Sequence, residues 1–112
     1  MREIKFRVWD KKNEKLLYNN EYSLDFALNN KEHFVIMQYT HLKDINNKEI
    51  YEGDIIQVSY KDYIRIGQVI YGSLGRYQIK GKEIHCAFNH INRGYKWEVI
   101  GNIFENEDLL IK

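Results

Sequence analysis

His85, Cys86 and His90 are the densest group of metal-capable side chains in the sequence. Two imidazoles and a thiolate could fill three corners of a tetrahedral zinc site, with His33 or His41 completing it. His85 and Cys86 are adjacent, however, and neighbours on an extended strand point to opposite faces. No Cys-x-x-Cys pair accompanies them. The expectation is a core cysteine beside surface histidines, with no metal. As a nucleophile, Cys86 would need a base and an electropositive, partly exposed setting. Between Ile84 and Phe88 it reads more simply as a small buried hydrophobe. Glu52 and Asp54 share one face of an extended strand, as an acid/base pair would. Turn chemistry accounts for Asp54, whose carboxylate can accept neighbouring backbone N–H groups. Gly72-Ser73-Leu74-Gly75-Arg76 lacks the spacing and the Lys-Ser/Thr of a phosphate loop, and reads as a hairpin connection. No catalytic residue, cofactor or metal is assigned, and an enzyme is not expected.

Binding chemistry has more to stand on. Arg65, Arg76, Lys80, Lys82, Arg93 and Lys96 interleave with Tyr63, Tyr71, Tyr77, Tyr95 and Trp97. Cations that hold phosphates and rings that stack on bases are what small barrels use on single-stranded nucleic acid. From Lys61 to Trp97 there are seven basic residues against Asp62 and Glu83, a local +5. From Glu98 to Ile111 there are four acidic residues and no basic one, a local −4. The alternative is a solvated basic face over a tyrosine-rich core, and true nucleic-acid domains are usually far more basic. Arg65, Arg76, Tyr77, Lys80, Lys82, Arg93 and Lys96 are carried forward as the nucleic-acid face.

A protein partner is the favoured reading. Small barrels leave sheet edges that can accept a strand from a partner or from a second copy. Arg7, Trp9 and Asp10 stand at the exit of the first strand. Trp9 alternates away from Ile4, Phe6 and Val8, so it is either an anchor on the opposite face or a core residue under a second layer. Tyr39 and Thr40 carry the same two readings. These five residues form the expected partner surface.

The elements that must position these residues are mostly strands. Ile4, Phe6 and Val8 alternate with Lys5, Arg7 and Trp9, the period of a strand with one buried face. Asp10 to Asn13 reads as a turn, with Lys15 to Tyr18 returning as a hairpin partner. Glu21 to Asn30 is open between a loop and a short helix capped by Ser23. Phe34 to Tyr39 is continuous and apolar, as in a strand covered on both faces. Thr40 to Lys48 is polar and holds Asn46-Asn47, a pair suited to a tight turn. Strands are expected over Ile55–Tyr60, Tyr63–Tyr71, Arg76–Ile79, Glu83–Phe88 and Trp97–Phe104. Short strands punctuated by Gly, Asn and Asp describe a small antiparallel barrel. Asn106-Glu107-Asp108-Leu109-Leu110 predicts a short terminal helical turn.

Composition bounds the remainder. The chain has 112 residues, 44% hydrophobic and 29% charged, with sixteen aromatics and a net charge of +1. That suits a globular domain and excludes a disordered chain. One cysteine excludes an intramolecular disulfide framework and points to a reducing compartment. The longest purely apolar run, Phe34 to Met37, is far short of a membrane span, and Met1 to Lys5 has no signal-peptide character. A cytoplasmic protein with no membrane partner is expected. Ile, Asn, Lys and Tyr supply 47 residues while alanine appears twice and proline never. All four have A/T-rich codons, so the bias reflects an A/T-rich genome first.

Five segments carry a resemblance: Arg2 to Asp10, Met37 to Thr40, Leu42 to Asp44, Lys48 to Ile56 and Glu98 to Asn106. In order and spacing they resemble the YopX family of phage and prophage proteins. His41 and Asn47 stand where that family usually has glycine, and Glu107 where proline is common. The resemblance implies an SH3-type barrel in the C-terminal portion and a small phage accessory product, and it carries over no catalytic residues. The expected architecture is mainly β: an N-terminal β layer over residues 1–45 and an SH3-like barrel over 46–112. The expected function is a non-enzymatic phage or prophage accessory protein that binds a protein partner or its own second copy, with the nucleic-acid face as the alternative.

Overall fold

The computed structural model describes residues 4–72, 75–87 and 94–111. Two antiparallel sheets dominate it. The first, in the order β2-β1-β3-β4, comprises β1 (Phe6–Asp10), β2 (Lys15–Tyr18), β3 (Phe34–Lys43) and β4 (Glu49–Tyr51). The second, in the order β8-β7-β6-β5-β9, comprises β5 (Asp54–Tyr60), β6 (Tyr63–Tyr71), β7 (Tyr77–Gly81), β8 (His85–Ala87) and β9 (Lys96–Asn102). The fold is therefore mainly β, with the five-stranded sheet curled into a half-barrel. Among the described residues, helix is limited to α1 (Leu24–Leu28) and short 3-10 turns at Asn19–Glu21 and Glu107–Leu110. Ser23 caps α1, its Oγ accepting from the Phe26 N–H at 3.3 Å. No helix among the described residues is long and apolar enough to cross a membrane.

Period-2 alternation sorts the core of each sheet. Val8 and Leu17 pack with Ala27 of α1, joined by Tyr22, Phe34 and Ile36, so α1 covers one face of the first sheet. Ile56 and Val58 of β5 meet Val69, Ile79 and Trp97 inside the half-barrel. Ile50 of β4 is part of that same cluster, with Leu42 of β3 against it. The β3–β4 hairpin thus enters the half-barrel as a plug. It is tied to β9 by the Ile45 N–H donating to the Trp97 carbonyl at 2.8 Å and the Val99 N–H donating to the Asp44 carboxylate at 2.9 Å.

Two elements differ from the sequence reading. β3 does not stop at Tyr39 but continues to Lys43 through a shift in register between Tyr39 and Lys43. His41 sits at that bulge with φ +71°, and Asn47 turns the hairpin with φ +65°. Both are left-handed, the conformation that makes glycine usual at bulges and tight turns. β4 was not foreseen; a three-residue strand falls below what periodicity resolves. It places the first sheet's edge at Glu49–Tyr51, hydrogen-bonded to β3.

Candidate interaction site

The five residues expected on a partner surface are all buried. Alternation does put Arg7 and Trp9 opposite Val8, as expected, but that face looks onto the half-barrel rather than solvent. The Arg7 guanidinium meets the Asp54 carboxylate at 2.8 Å and donates to the Glu52 carbonyl at 3.1 Å. Trp9 stacks on Phe104, with centroids 5.0 Å apart and planes 11° from parallel. Tyr39 lies between the rings of Tyr51 and His41 at 5.5 and 5.2 Å. The Thr40 hydroxyl donates to the Ile50 carbonyl at 2.7 Å. Asp10 organises the β1–β2 turn, accepting from the N–H groups of Lys12 and Asn13 and from the Asn13 amide. The Asn13 bonds hold its carboxyl below its ordinary 3.8. The expected partner surface is therefore corrected: Arg7 and Trp9 lie in the seam between the two sheets, Tyr39 and Thr40 pack against β4, and Asp10 serves its own turn. Period-2 patterning tells which residues share a face, not whether another layer covers it.

The proposed nucleic-acid face also fails to assemble. On β7, Ile79 points into the core, so Tyr77 shares the inner side and packs against that cluster, while Lys80 alternates outward and is exposed. Lys96 lies on β9, at the opposite edge of the sheet from β7 and β8. Arg65 pairs with Glu83 at 3.1 Å and covers the Tyr63 ring at 4.0 Å. Arg76 precedes β7 and Lys82 follows it, at opposite ends of one strand. Arg93 and His90 lie outside the described residues. Among the described residues, these do not form one continuous basic face.

What the half-barrel does bring together is a cleft of about 290 Å³ lined by Val58, Tyr63, Glu83, Ile84, His85, Cys86, Tyr95 and Trp97. Val58 and Trp97 are cross-strand neighbours on β5 and β9, and with Ile84 and Cys86 they make an apolar floor. Tyr63 and Tyr95 stand at its rim, 39% and 40% exposed. Tyr95 stacks on Tyr60 at 4.6 Å. β8, the outermost strand of the sheet, forms one wall. Cys86 pairs with Ile79 and faces the core, where burial pushes its thiol up, away from the thiolate a nucleophile needs. His85 alternates outward and meets the Gln78 side-chain oxygen at 2.9 Å. Among the described residues, no three His, Cys, Asp or Glu side chains gather as a metal would require. The cleft draws on four separated stretches of chain. The sequence supplies the rings and the cysteine, and only the strand order reveals that they meet.

The profile of the family described as "YopX protein" matches residues 23–111, from the cap of α1 to the end of the terminal turn. The chain belongs to the YopX family. The match runs through Ser59 to Tyr95, the cleft-bearing stretch in which no family motif is recognisable by eye. Among solved structures, the YopX-family chain is similar to the crystal structure of protein EF1440 from Enterococcus faecalis. The two are 28% identical with a TM-score of 0.70, over 98% of this chain and 99% of that one. That likeness covers β1 and β2, which precede the profile match. No curated protein matches the chain.

Proposed function

We propose that this YopX-family chain is a non-enzymatic accessory protein of phage or prophage origin, acting in the host cytoplasm by binding a protein partner. The observation that carries this reading is the cleft beside β8. An aromatic-rimmed, apolar-floored opening next to the terminal strand of a sheet suits an extended segment that adds to the strand edge and seats alternate side chains. Aromatic rims of this kind supply the anchoring positions of interfaces. The buried ionisable groups have structural employment. Asp54 holds Arg7 and accepts the Tyr51 N–H at 2.8 Å, and Asp10 holds its turn. That supports binding over catalysis. The A/T-biased composition supports the phage origin, and the single cysteine supports the reducing compartment.

A second reading has one specific observation behind it. Tyr60, Tyr63 and Tyr95 crowd one end of the half-barrel, with Lys61 5.3 Å over the Tyr60 ring and Arg65 over Tyr63. Rings interleaved with cations also suit single-stranded nucleic acid. One experiment separates the two. Tagged wild type and a Tyr63→Ala/Tyr95→Ala variant capture ligands from host lysate with and without nuclease. The protein reading expects a polypeptide that survives nuclease and is lost with the double variant. Recovery of nucleic acid, with proteins lost on digestion, would replace it with the second reading. Capture unaffected by the variant would remove the cleft from either.

A further inference from the structure

The outer face of the half-barrel, on the other side of the sheet from the core of Val58, Val69, Ile79 and Trp97, carries a pattern of charge and apolar surface that complements itself. On this face Gln68 of β6 pairs with Lys80 of β7, and the C-terminal 3-10 turn lies across β6. Leu109 and Leu110 line a trough of about 150 Å³ with Ile64, Ile66 and Lys82, bordered by Arg65 and Glu83, which pair with each other. On the other side, Leu110 and Ile111 face Gln68, Lys80, Gly81 and Lys82 across a trough of about 450 Å³. The turn therefore begins with exposed Glu107 and Asp108, continues through leucines, and ends at exposed Ile111 beside exposed Lys80 and Lys82. Ile64 and Ile111 are 53% and 69% exposed. Among the described residues none of Lys80, Lys82, Glu107 and Asp108 makes an ion pair.

An acidic end, an apolar middle and a basic end arranged along one stripe match the same stripe on a second copy turned by a two-fold axis. The acidic end of each then meets the basic end of the other, and the apolar middles meet at the axis. This is the self-complementarity that an isologous contact requires. Opposed charges would fix the register, and the apolar centre would exclude water. We propose that this face pairs two copies of the chain, Glu107 and Asp108 of each lying against Lys80 and Lys82 of the other.

Sedimentation equilibrium over a range of protein and salt concentrations tests it. Wild type is expected as a monomer–dimer equilibrium that weakens with salt, since exposed pairs are screened. Lys80→Glu/Lys82→Glu and Glu107→Lys/Asp108→Lys should each lose the dimer while keeping the wild-type circular dichroism spectrum. Mixed together, the two reversed variants should recover a 1:1 dimer, because each changed patch then meets its complement. A wild type that stays monomeric at every concentration would overturn the proposal. So would a dimer that survives both reversals, or a mixture that remains monomeric. Cleft-dependent capture should be unchanged in Glu107→Lys/Asp108→Lys, whose residues lie outside the cleft lining, so its failure and the failure of self-pairing are read separately.

Discussion

Trp9 shows how one side chain changes meaning once its surroundings are known. On β1 it points away from Val8 and α1, which in an isolated sheet would be a solvent-facing position. Here that side receives the segment after β9, and Phe104 lies flat against the indole. Stacked rings add to the value of the area they bury. Trp9→Ala should therefore lower the stability of the whole protein by about 3–5 kcal/mol, the usual range for emptying a buried aromatic site. Urea denaturation reads this directly. A midpoint close to wild type would mean that the indole is dispensable to the seam and available to a partner after all. Asp10 and Thr40 follow the same logic at smaller scale. Their polar atoms are consumed by backbone groups of a turn and a strand, so their burial needs no ligand to explain it.

At the scale of elements, the strands with clean alternation were legible and the irregular ones were not. β2 and β6 fall at their expected bounds, and β1, β5, β7, β8 and β9 within a few residues of theirs, because apolar positions alternate between clear turn signals. β4 and the bulge in β3 were missed, since a bulge shifts the phase of alternation and hides the continuation. His41 and Asn47, flagged as departures from glycine, turn out to hold the left-handed backbone that glycine would. The β6–β7 pair makes a further demand that composition does not reveal. A methyl group on Gly81 would run into the Ile66 carbonyl oxygen, and Gly67 lies directly beneath it. This close crossing lets β7 curl over β6 and begin the half-barrel. Gly81→Ala should cost about 1–3 kcal/mol through overpacking against backbone that cannot move aside. It should also perturb the amide resonances of β6 and β7 before those of the first sheet. Wild-type stability in that variant would show that the crossing has slack, and that curvature is set elsewhere. The cleft was legible only as an inventory of tyrosines and a cysteine, because its walls are assembled by strand order rather than by spacing along the chain.

The whole molecule depends on how the two sheets are joined, and one buried ion pair sits in a join otherwise made of apolar packing and backbone hydrogen bonds. Arg7 of β1 and Asp54 of β5 meet at 2.8 Å with both side chains almost wholly buried. Arg7 also lies 4.9 Å over the Tyr51 ring, and its Nε is buried with no hydrogen-bond partner. Burial pushes the Asp54 carboxyl up from its ordinary value, against the opposing pull of Arg7 and the Tyr51 N–H. The sign of its linkage follows. The folded state holds the Asp54 proton more tightly than the unfolded chain, so at this site stability falls as pH rises from the unfolded pKa through the raised folded one. Removing Arg7 takes away the main group that favours the carboxylate and raises the folded pKa further. Arg7→Ala should thus cost about 3–5 kcal/mol at neutral pH, the cost of leaving one member of a buried pair uncompensated. That cost should shrink as the solution is acidified and Asp54 takes up its proton. Replacing both partners, Arg7→Met with Asp54→Leu, should recover much of the loss, since a buried pair replaced by apolar groups of similar volume is often neutral. Urea midpoints for the three variants at neutral and mildly acidic pH decide the matter. A penalty for Arg7→Ala that does not diminish with acid would mean that the lost packing of the guanidinium on Tyr51, not the stranded charge, is what separates the sheets.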